Sequence, residues 1–251
     1  MRIVVTNCNT TQEMTEEIVR GARAAAGPGT AVTGLTPAWG PESAEGWLDS
    51  YLSAAAVLDA LRTYAGPPYD AVVMAGFGEH GREGVRELVD VPVVDITEAA
   101  AHLACLLGRR YGVVTTLDRS RGQIEDSLET AGVARNCVAV TGTGLGVLDL
   151  AGDPGRTEAA FLAAAERARD AGAEVLVLGC AGMTGLQRVV GEKLGVPVVD
   201  GVGAAVKLAE SLVTLGLTTS RAGSYRKPLA KRRAWGPHRA GPEGPAVEGR
   251  S

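Results

Sequence analysis

The sequence predicts an α/β fold made of two pseudo-symmetric, doubly wound parallel-sheet lobes of the flavodoxin-like type, with a cleft between them. Short β-branched runs alternate along the body with longer segments of helical periodicity, an order typical of parallel sheets. One stretch also recurs. AVVMAGFGEHG from residue 71 is matched by VLVLGCAGMTG from residue 175, and VPVVDITEAAAHLA is matched by VPVVDGVGAAVKLA, at an offset of 104 and then 105 residues.

In the first half of the chain, the strongest strand signal is the segment 70–76. It is a continuous apolar run, as expected of a strand buried on both faces of a parallel sheet. Thr11 is a candidate cap for the first helix, and Gly27 follows that helix. Strands are predicted over 2–7, 30–36, 70–76 and 91–96, and helices over 11–27, 43–66, 82–89 and 97–109.

The second half repeats this alternation. Strands are predicted over 110–116, 137–142, 174–180 and 196–201, and helices over 120–132, 154–172, 185–195 and 202–216. We assign residues 1–98 together with about 204–220 to the first lobe, and 99–203 to the second. Residues 221–251 form a basic, Gly- and Pro-rich tail, which we expect to be disordered beyond about 230.

The composition is that of an ordinary globular protein, with 45% apolar and 22% charged residues. No apolar run reaches about 18 residues, so no membrane span is expected, and the N-terminus reads as a strand rather than a signal peptide. Four dispersed cysteines, without C-x-x-C or H-E-x-x-H spacing, predict no metal site and a reduced, cytoplasmic protein. The basic tail could contact nucleic acid, but a solvated end explains it better, and the body shows no nucleic-acid surface.

GFGEHG, at 76–81, has the form G-x-G-x-x-G after a strand, with Asp95 about twenty residues further on. This pattern is typical of a dinucleotide site, but such a site normally occupies the first βαβ unit. Its repeat partner, CAGMTG at 180–185, shares only the second and third glycines. We therefore interpret the two segments as equivalent turns at one cleft rather than as an NAD site.

Cys180 ends an apolar strand at the position that Gly76 holds in the first copy. A free cysteine is often a small core residue. Between a strand and a helix, however, unpaired N–H groups and the helix dipole favour the thiolate and can hold an oxyanion. We therefore predict that Cys180 is catalytic, with Ala181 and Gly182 beside it in the turn.

Other strand ends supply groups to the same cleft, because ligands of parallel sheets bind at the carboxyl ends of the strands. Cys8 follows the first strand and is either a second acid or base or a packing residue. His80 is either a general acid or base or a polar loop residue. The remaining predicted substrate contacts are Asn9, Thr10, Gly76, Phe77 and Gly78 in the first lobe, and Thr115 and Thr116 in the second.

With these motifs the chain resembles the aspartate/glutamate racemase superfamily, and most closely its hydantoin racemase branch. The similar segments span about 1–228 and include NCNTT, GPESAEG, AGFGE, VVTT, VLGCAGM, PVVDGV and TSRAGSYRKP. The resemblance implies an isomerase without cofactors, in which two cysteines exchange a proton at a carbon α to a carbonyl. It also implies a small hydantoin-, allantoin- or amino-acid-like substrate, and we expect a homo-oligomer. The second cysteine of the pair corresponds to Cys180.

The chain departs from the family at two positions. Gly76 replaces the first cysteine, and Cys8 replaces the proline of the usual Asn-Pro-Asn. Three interpretations follow. The protein is a racemase whose second base is Cys8, His80 or water; or a one-thiol decarboxylase or isomerase, like the related arylmalonate decarboxylase; or a non-catalytic protein that binds a small ligand.

Overall fold

The protein is described by a computed structural model that covers residues 1–181, 186–233 and 235. The strands are β1 (Arg2–Thr6), β2 (Ala31–Leu35), β3 (Ala71–Met74), β4 (Val93–Asp95), β5 (Tyr111–Thr115), β6 (Cys137–Gly142), β7 (Val175–Leu178) and β8 (Val198–Asp200). The helices are α1 (Gln12–Ala25), α2 (Trp47–Arg62), α3 (Arg82–Leu88), α4 (Ile96–Leu107), α5 (Arg121–Thr130), α6 (Pro154–Asp170), α7 (Leu186–Leu194) and α8 (Gly201–Thr214). The observed bounds of these elements lie within a few residues of the predicted bounds, and those of β6 match them.

The strands form two parallel sheets, which confirms the predicted fold. The first sheet has the order β2-β1-β3-β4 and the second has β6-β5-β7-β8, the same order relative to the start of each copy. We call the regions built on them the first and second lobes. Every residue of β3 and of β7 is buried, which explains why both strands are unbroken apolar runs.

Helices α4 and α8 join the two lobes. They pack against each other; α8 also contacts β3 and β4, and α4 contacts β5, β7 and β8. Ile96 and Gly201 occupy the same place in the duplication, and a Cβ on Gly201 would lie 3.0 Å from the Ile96 carbonyl oxygen. Contact between equivalent residues places a pseudo-twofold axis here. The largest group of buried apolar side chains contains residues of both sheets, so the lobes share one core.

The repeated Val-Pro-Val-Val-Asp segment is a strand followed by a helix cap. The Asp95 carboxylate accepts hydrogen bonds from Thr97 and Glu98 amides at the start of α4. Asp200 accepts from the Gly203 amide at the start of α8. These caps satisfy orphan N–H groups at both helix starts, so Asp95 is a structural residue.

The start of α1 differs from the prediction. Thr11 occupies the cap position, but its side chain does not cap the helix. Its hydroxyl instead donates to the Glu42 carbonyl at 2.8 Å, because that loop passes directly over the helix start. The prediction that Thr11 caps α1 is therefore wrong.

The described part of the basic tail packs along the first lobe. Lys227 donates to the Leu88 carbonyl at 3.0 Å, and Tyr225 donates to the Glu83 carboxylate. Arg62 lies over the Trp235 ring at 5.0 Å. Residues 234 and 236–251, where disorder was expected, lie outside the described residues. In the part of the chain that the structure covers, each helix is too short or too polar to span a lipid bilayer.

Candidate active site

One cavity of ≈ 40 Å³ lies where the carboxyl ends of β1, β3, β5 and β7 meet between the lobes. Most of the predicted site residues face it. Those that line the cavity are Cys8, Asn9, Gly76, Phe77, His80, Thr115, Thr116, Cys180 and Ala181. Both strand-end turns of the duplication therefore reach the same space.

Two predicted contacts do not line this cavity. The Thr10 hydroxyl donates to the Pro41 carbonyl at 3.3 Å. The Gly78 amide donates to Thr97 Oγ1 at 2.9 Å, and the Gly78 carbonyl accepts from the same hydroxyl at 3.1 Å. Contrary to the prediction, Thr10 and Gly78 hold their turns instead of lining the cavity, because their polar groups are already paired. Gly182 lies outside the described residues.

Strand register makes Cys8 a direct neighbour of Gly76. Thr6 pairs with Met74 at the end of the β1–β3 ladder, and Cys8 and Gly76 follow two residues later on each strand. In the second lobe, Val114 pairs with Leu178 in the β5–β7 ladder. The corresponding neighbours there are Thr116 and Cys180.

Gly76 has no room for a side chain, because Cys8 and His80 already occupy the space. A Cβ built on Gly76 would lie 2.7 Å from Cys8 Cβ and 2.9 Å from Cys8 Sγ, and closer still to His80 Cδ2. The Cys8 thiol therefore lies against the place that a side chain of residue 76 would fill. A thiol is present on this side of the cavity although residue 76 is glycine.

The turn that holds Cys8 is fixed by the asparagine on each side. The Asn7 amide donates to Asn9 Oδ1 at 2.8 Å, and the Asn9 backbone N–H donates to Asn7 Oδ1 at 3.3 Å. Asn9 Oδ1 also accepts from the Thr11 amide at 3.0 Å. Both asparagines are buried, so this network orients the cysteine between them.

The Cys8 thiol is strongly disposed to stay protonated. Burial raises its pKa from 9.0 to about 12, and negative charge on Cys180 contributes to the increase. A thiol in this state is a proton donor at neutral pH. The mutual effect of the two sulfurs also indicates that they lie near each other across the cavity.

Cys180 lies two residues beyond the end of β7. The preceding Gly179 amide donates to the Val114 carbonyl at 2.7 Å, which continues the sheet to the turn. A Cβ on Gly179 would lie 3.4 Å from Phe77 Cδ1, so the glycine lets the first lobe approach closely. The described part of α7 begins at Leu186, one residue after the predicted start at residue 185. Residues 182–185 lie outside the described part of the chain.

His80 turns its nitrogen atoms away from the cavity. Nδ1 lies 3.2 Å from Ser50 Oγ, and Nε2 lies 3.3 Å from the Phe77 carbonyl oxygen. The Cδ2 edge faces Gly76 and Cys8. The ring is buried, and this burial lowers the pKa of His80. Cys8 is therefore better placed than His80 to exchange a proton with a ligand.

The G-x-G-x-x-G turn does not offer its N–H groups to a phosphate. Glu79 Oε1 accepts from the Gly81 amide at 2.6 Å and from the Arg82 amide at 2.8 Å. A carboxylate of the chain thus occupies the anion position at the start of α3. Among the described residues, no group of three or more His, Cys, Asp or Glu side chains could hold a metal ion.

Several known proteins are similar to this chain over most of its length. The model of the Asp/Glu/Hydantoin racemase family matches residues 3–209. The hydantoin racemase of Paenarthrobacter aurescens is 38% identical over 92% of this chain and 99% of its own length. The crystal structure of the allantoin racemase from Pseudomonas fluorescens is 52% identical, with a TM-score of 0.91 over 93% of this chain and 100% of that one. Allantoin racemase from Klebsiella pneumoniae is 39% identical, with a TM-score of 0.89 over 93% and 96%.

The chain belongs to the Asp/Glu/Hydantoin racemase family. It is accordingly an isomerase of the racemase type, as the resemblance of its motifs predicted. Arylmalonate decarboxylase shares the fold, with a TM-score of 0.60, but is only 19% identical. That likeness shows the architecture alone.

The two lobes also make hydrogen bonds to each other next to the cavity. Glu45 Oε1 accepts from the Val147 amide at 2.7 Å, and the Glu45 carbonyl accepts from Ser120 at 3.2 Å. Loops from the two lobes are therefore joined beside the cavity.

Sequence reasoning missed several residues of the site. Gln123 and Ser120 line the cavity from the second lobe, and Ala44 and Val147 also line it. Gln123, Ser120 and Val147 lie at a helix start or in loops with no motif. Ala44 lies in the GPESAEG segment, which resembles the family but gives no sign of a cavity contact. Only the register of the sheets and the docking of the lobes bring them to the cavity.

Proposed function

We propose that this protein racemises 5-substituted hydantoins, allantoin among them, with Cys180 and Cys8 as the two acid–base groups. The observation that carries the proposal is the Cys8 thiol, which lies 2.9 Å from the position of the Cβ that Gly76 lacks. The thiol that the family carries at residue 76 is thus replaced by one from the neighbouring strand end. The allantoin racemase that is 52% identical supports the choice of substrate.

The reaction needs one thiolate and one thiol. A Cys180 thiolate takes the proton from C5 of the hydantoin ring, and the electron pair of the C–H bond moves toward the adjacent carbonyl oxygen as an enolate. Cys8, kept protonated by burial, then donates its proton to the opposite face of C5. The product is the other enantiomer, and the roles of the two sulfurs are reversed for the return reaction.

The polar groups of the cavity fit an anionic intermediate. The Thr115 and Thr116 side chains are 2% and 4% exposed and line the cavity. Hydroxyl groups in a site that excludes water stabilise developing negative charge more strongly than they do in water. The pair therefore supports enolate formation without a cofactor.

The test is hydrogen–deuterium exchange of each allantoin enantiomer in D₂O, followed by NMR together with optical rotation. Cys8→Ser and Cys180→Ser should each slow racemisation by about 10²–10⁴-fold, the usual contribution of an acid–base group. Each variant should still exchange one enantiomer with retention of configuration, and the two variants should select opposite enantiomers. Cys105→Ser is the matched control, because Cys105 lies on α4 and does not line the cavity.

The alternatives give different results. Full racemisation by Cys8→Ser would reject Cys8 as the second acid–base group. Loss of CO₂ from a substituted malonate, with Cys8→Ser as active as the wild type, would instead support a decarboxylase that uses Cys180 alone. Binding of hydantoins without exchange of either enantiomer would indicate a non-catalytic protein.

A further inference from the structure

We propose that His80 is a positioning residue for Cys8, and that the second lobe orients His80 through a hydrogen-bond chain from Gln123 and Ser50. The inference rests on the racemase function proposed above, since it assigns the means by which one of the two thiols is set. It goes beyond that function because none of the three residues is a proton-transfer group in it.

The chain crosses from one lobe to the other. Gln123 lies on α5 of the second lobe, and its Nε2 donates to Ser50 Oγ at 2.7 Å. Ser50 lies on α2 of the first lobe, and its Oγ is 3.2 Å from His80 Nδ1. The three side chains are 3% or 4% exposed, so water does not compete with these bonds.

Both nitrogens of His80 are held by contacts. Nδ1 lies against Ser50 Oγ, which itself donates to the Glu79 carbonyl, and Nε2 lies against the Phe77 carbonyl. The Ser50 oxygen accepts one hydrogen of the Gln123 amide, and the other goes to the Glu79 carbonyl at 3.0 Å. Because the Glu79 carbonyl and the Phe77 carbonyl belong to the same turn as His80, both ends of the ring are fixed.

The Cδ2 edge of the His80 ring, which carries no nitrogen contact, lies against Cys8. His80 Cδ2 and the Cys8 side chain share the space next to Gly76. On the far side, the Asn7 and Asn9 network holds the cysteine backbone. The His80 ring therefore limits the rotamers that bring the Cys8 thiol into the cavity. When Gln123 loses contact with Ser50, this limit is relaxed.

This arrangement ties both acid–base groups to the second lobe. That lobe supplies Cys180 directly, and through Gln123 it orients the residue that confines Cys8. The two sulfurs should then be set in place together when the lobes are docked. Misplacing a catalytic group by about 1 Å can cost about 10²-fold in rate, which makes the effect measurable.

The experiment compares exchange at the two faces of the substrate in two single-thiol backgrounds. Exchange by Cys8 is measured for its enantiomer in a Cys180→Ser background, and exchange by Cys180 for the other enantiomer in a Cys8→Ser background. Ser50→Ala, His80→Ala and Gln123→Met are added to each. We expect the ratio of Cys8-face to Cys180-face exchange to fall by about 10- to 100-fold in all three.

Ser53→Ala is the matched control. Ser53 is also on α2, one turn after Ser50, and its buried hydroxyl has no hydrogen-bond partner in the described structure. The same chemical change at this position should leave the ratio as it is. Circular dichroism melting of each variant separates a folding defect, which lowers both faces together, from a positioning defect.

An unchanged ratio in Ser50→Ala and Gln123→Met, with both faces active, would overturn this inference and leave the proposed function intact. An equal loss on both faces in folded variants would also overturn it, because it would show a general structural role. If Cys8→Ser alone racemises at the wild-type rate, the proposed function and this inference both fail.

Discussion

The turns after β3 and after β7 are copies of one design that supply a thiol in different ways. In the second lobe, Cys180 lies in the turn and its neighbour on the next strand is Thr116. In the first lobe, Gly76 lies in the turn and its neighbour is Cys8. Thiol and non-thiol positions are exchanged between adjacent strands. Since neighbouring strands are about 4.8 Å apart, a thiol can change strands and still reach the same cavity.

A pseudo-symmetric site requires an acid–base group at a given place in space rather than at a given position in the chain. The Cys8 thiol can occupy this place only because residue 76 is glycine, since a Cβ there would overlap Cys8 and His80. In the proposed function, the departures from the family pattern at residues 8 and 76 therefore belong together. Considered without Cys8, Gly76 indicates that the first lobe has lost its base. Considered without Gly76, Cys8 indicates a packing residue.

The largest expected effect, which would sharpen this comparison, is on the pH dependence of deuterium exchange by Cys8. In Cys180→Ser, exchange requires the Cys8 thiolate, whose pKa is raised to about 12 mainly by burial. Below that pKa the thiolate fraction grows tenfold per pH unit, so the exchange rate should increase about tenfold per unit from pH 7 to 9. Removing Cys180 also removes its like charge, but burial, the larger cause, remains.

The measurement is the initial rate of deuterium uptake by the enantiomer that Cys8 serves. Exchange without enzyme is subtracted at each pH, and circular dichroism confirms the fold over the range. A rate that levels off below pH 8 would contradict the assignment, because it would show a thiol with an ordinary or lowered pKa. In its role as proton donor, Cys8 is fully protonated over the same range.

A smaller effect is expected when a side chain is added at Gly76, next to the Cys8 thiol. Gly76→Ala adds only a Cβ, in space held by Cys8 and His80. Such overpacking typically costs about 1–3 kcal/mol of stability, and it should slow Cys8-face exchange more than Cys180-face exchange. Gly122→Ala is the control, since Gly122 lies in α5 with nothing within 4 Å of its added Cβ. There we expect equal or higher stability.

Gly76→Cys tests the same arrangement by adding a second thiol to the first lobe. Where Cys8 already supplies the thiol, a second one at residue 76 has no space and should not accelerate racemisation. Faster racemisation with an unchanged melting temperature would show that the first lobe lacks an acid–base group in the native protein. That outcome would favour the one-thiol interpretation.

The fold could be predicted from the sequence because its signals are local and repeated. The buried strands β3 and β7 are unbroken apolar runs, and the Asp95 and Asp200 caps follow them at matching places. The duplication then brings both turns to one cleft, which is how Cys180 and the Gly76 turn were predicted to share a cavity. Neither inference needs the distance between two side chains.

The remainder of the site depends on contacts that no local pattern specifies. Thr10 and Gly78 were expected at the cavity because they lie at strand ends, but Thr10 pairs with the Pro41 carbonyl and Gly78 pairs with Thr97 at the start of α4. Choosing between Cys8 and His80 required the orientation of one imidazole ring. Gln123 and Ser50 meet only because α5 of one lobe docks on α2 of the other.

The smallest effect concerns the support that the tail gives to the first lobe. Arg221 donates to the Arg86 carbonyl at 2.8 Å and to the carbonyl of Val89, which lie in the last turn of α3 and just beyond it. This helix follows the His80 turn, so the tail braces the Cys8 side of the cavity. Arg221→Ala should remove about 1 kcal/mol of stability and lower the melting temperature by about 2–4 °C. Arg226→Ala is the control, because Arg226 is exposed. The ratio of the two exchange rates should change little, since the backbone of α3 keeps its other contacts. A large fall in Cys8-face exchange alone would instead mean that the tail sets the geometry of the first thiol.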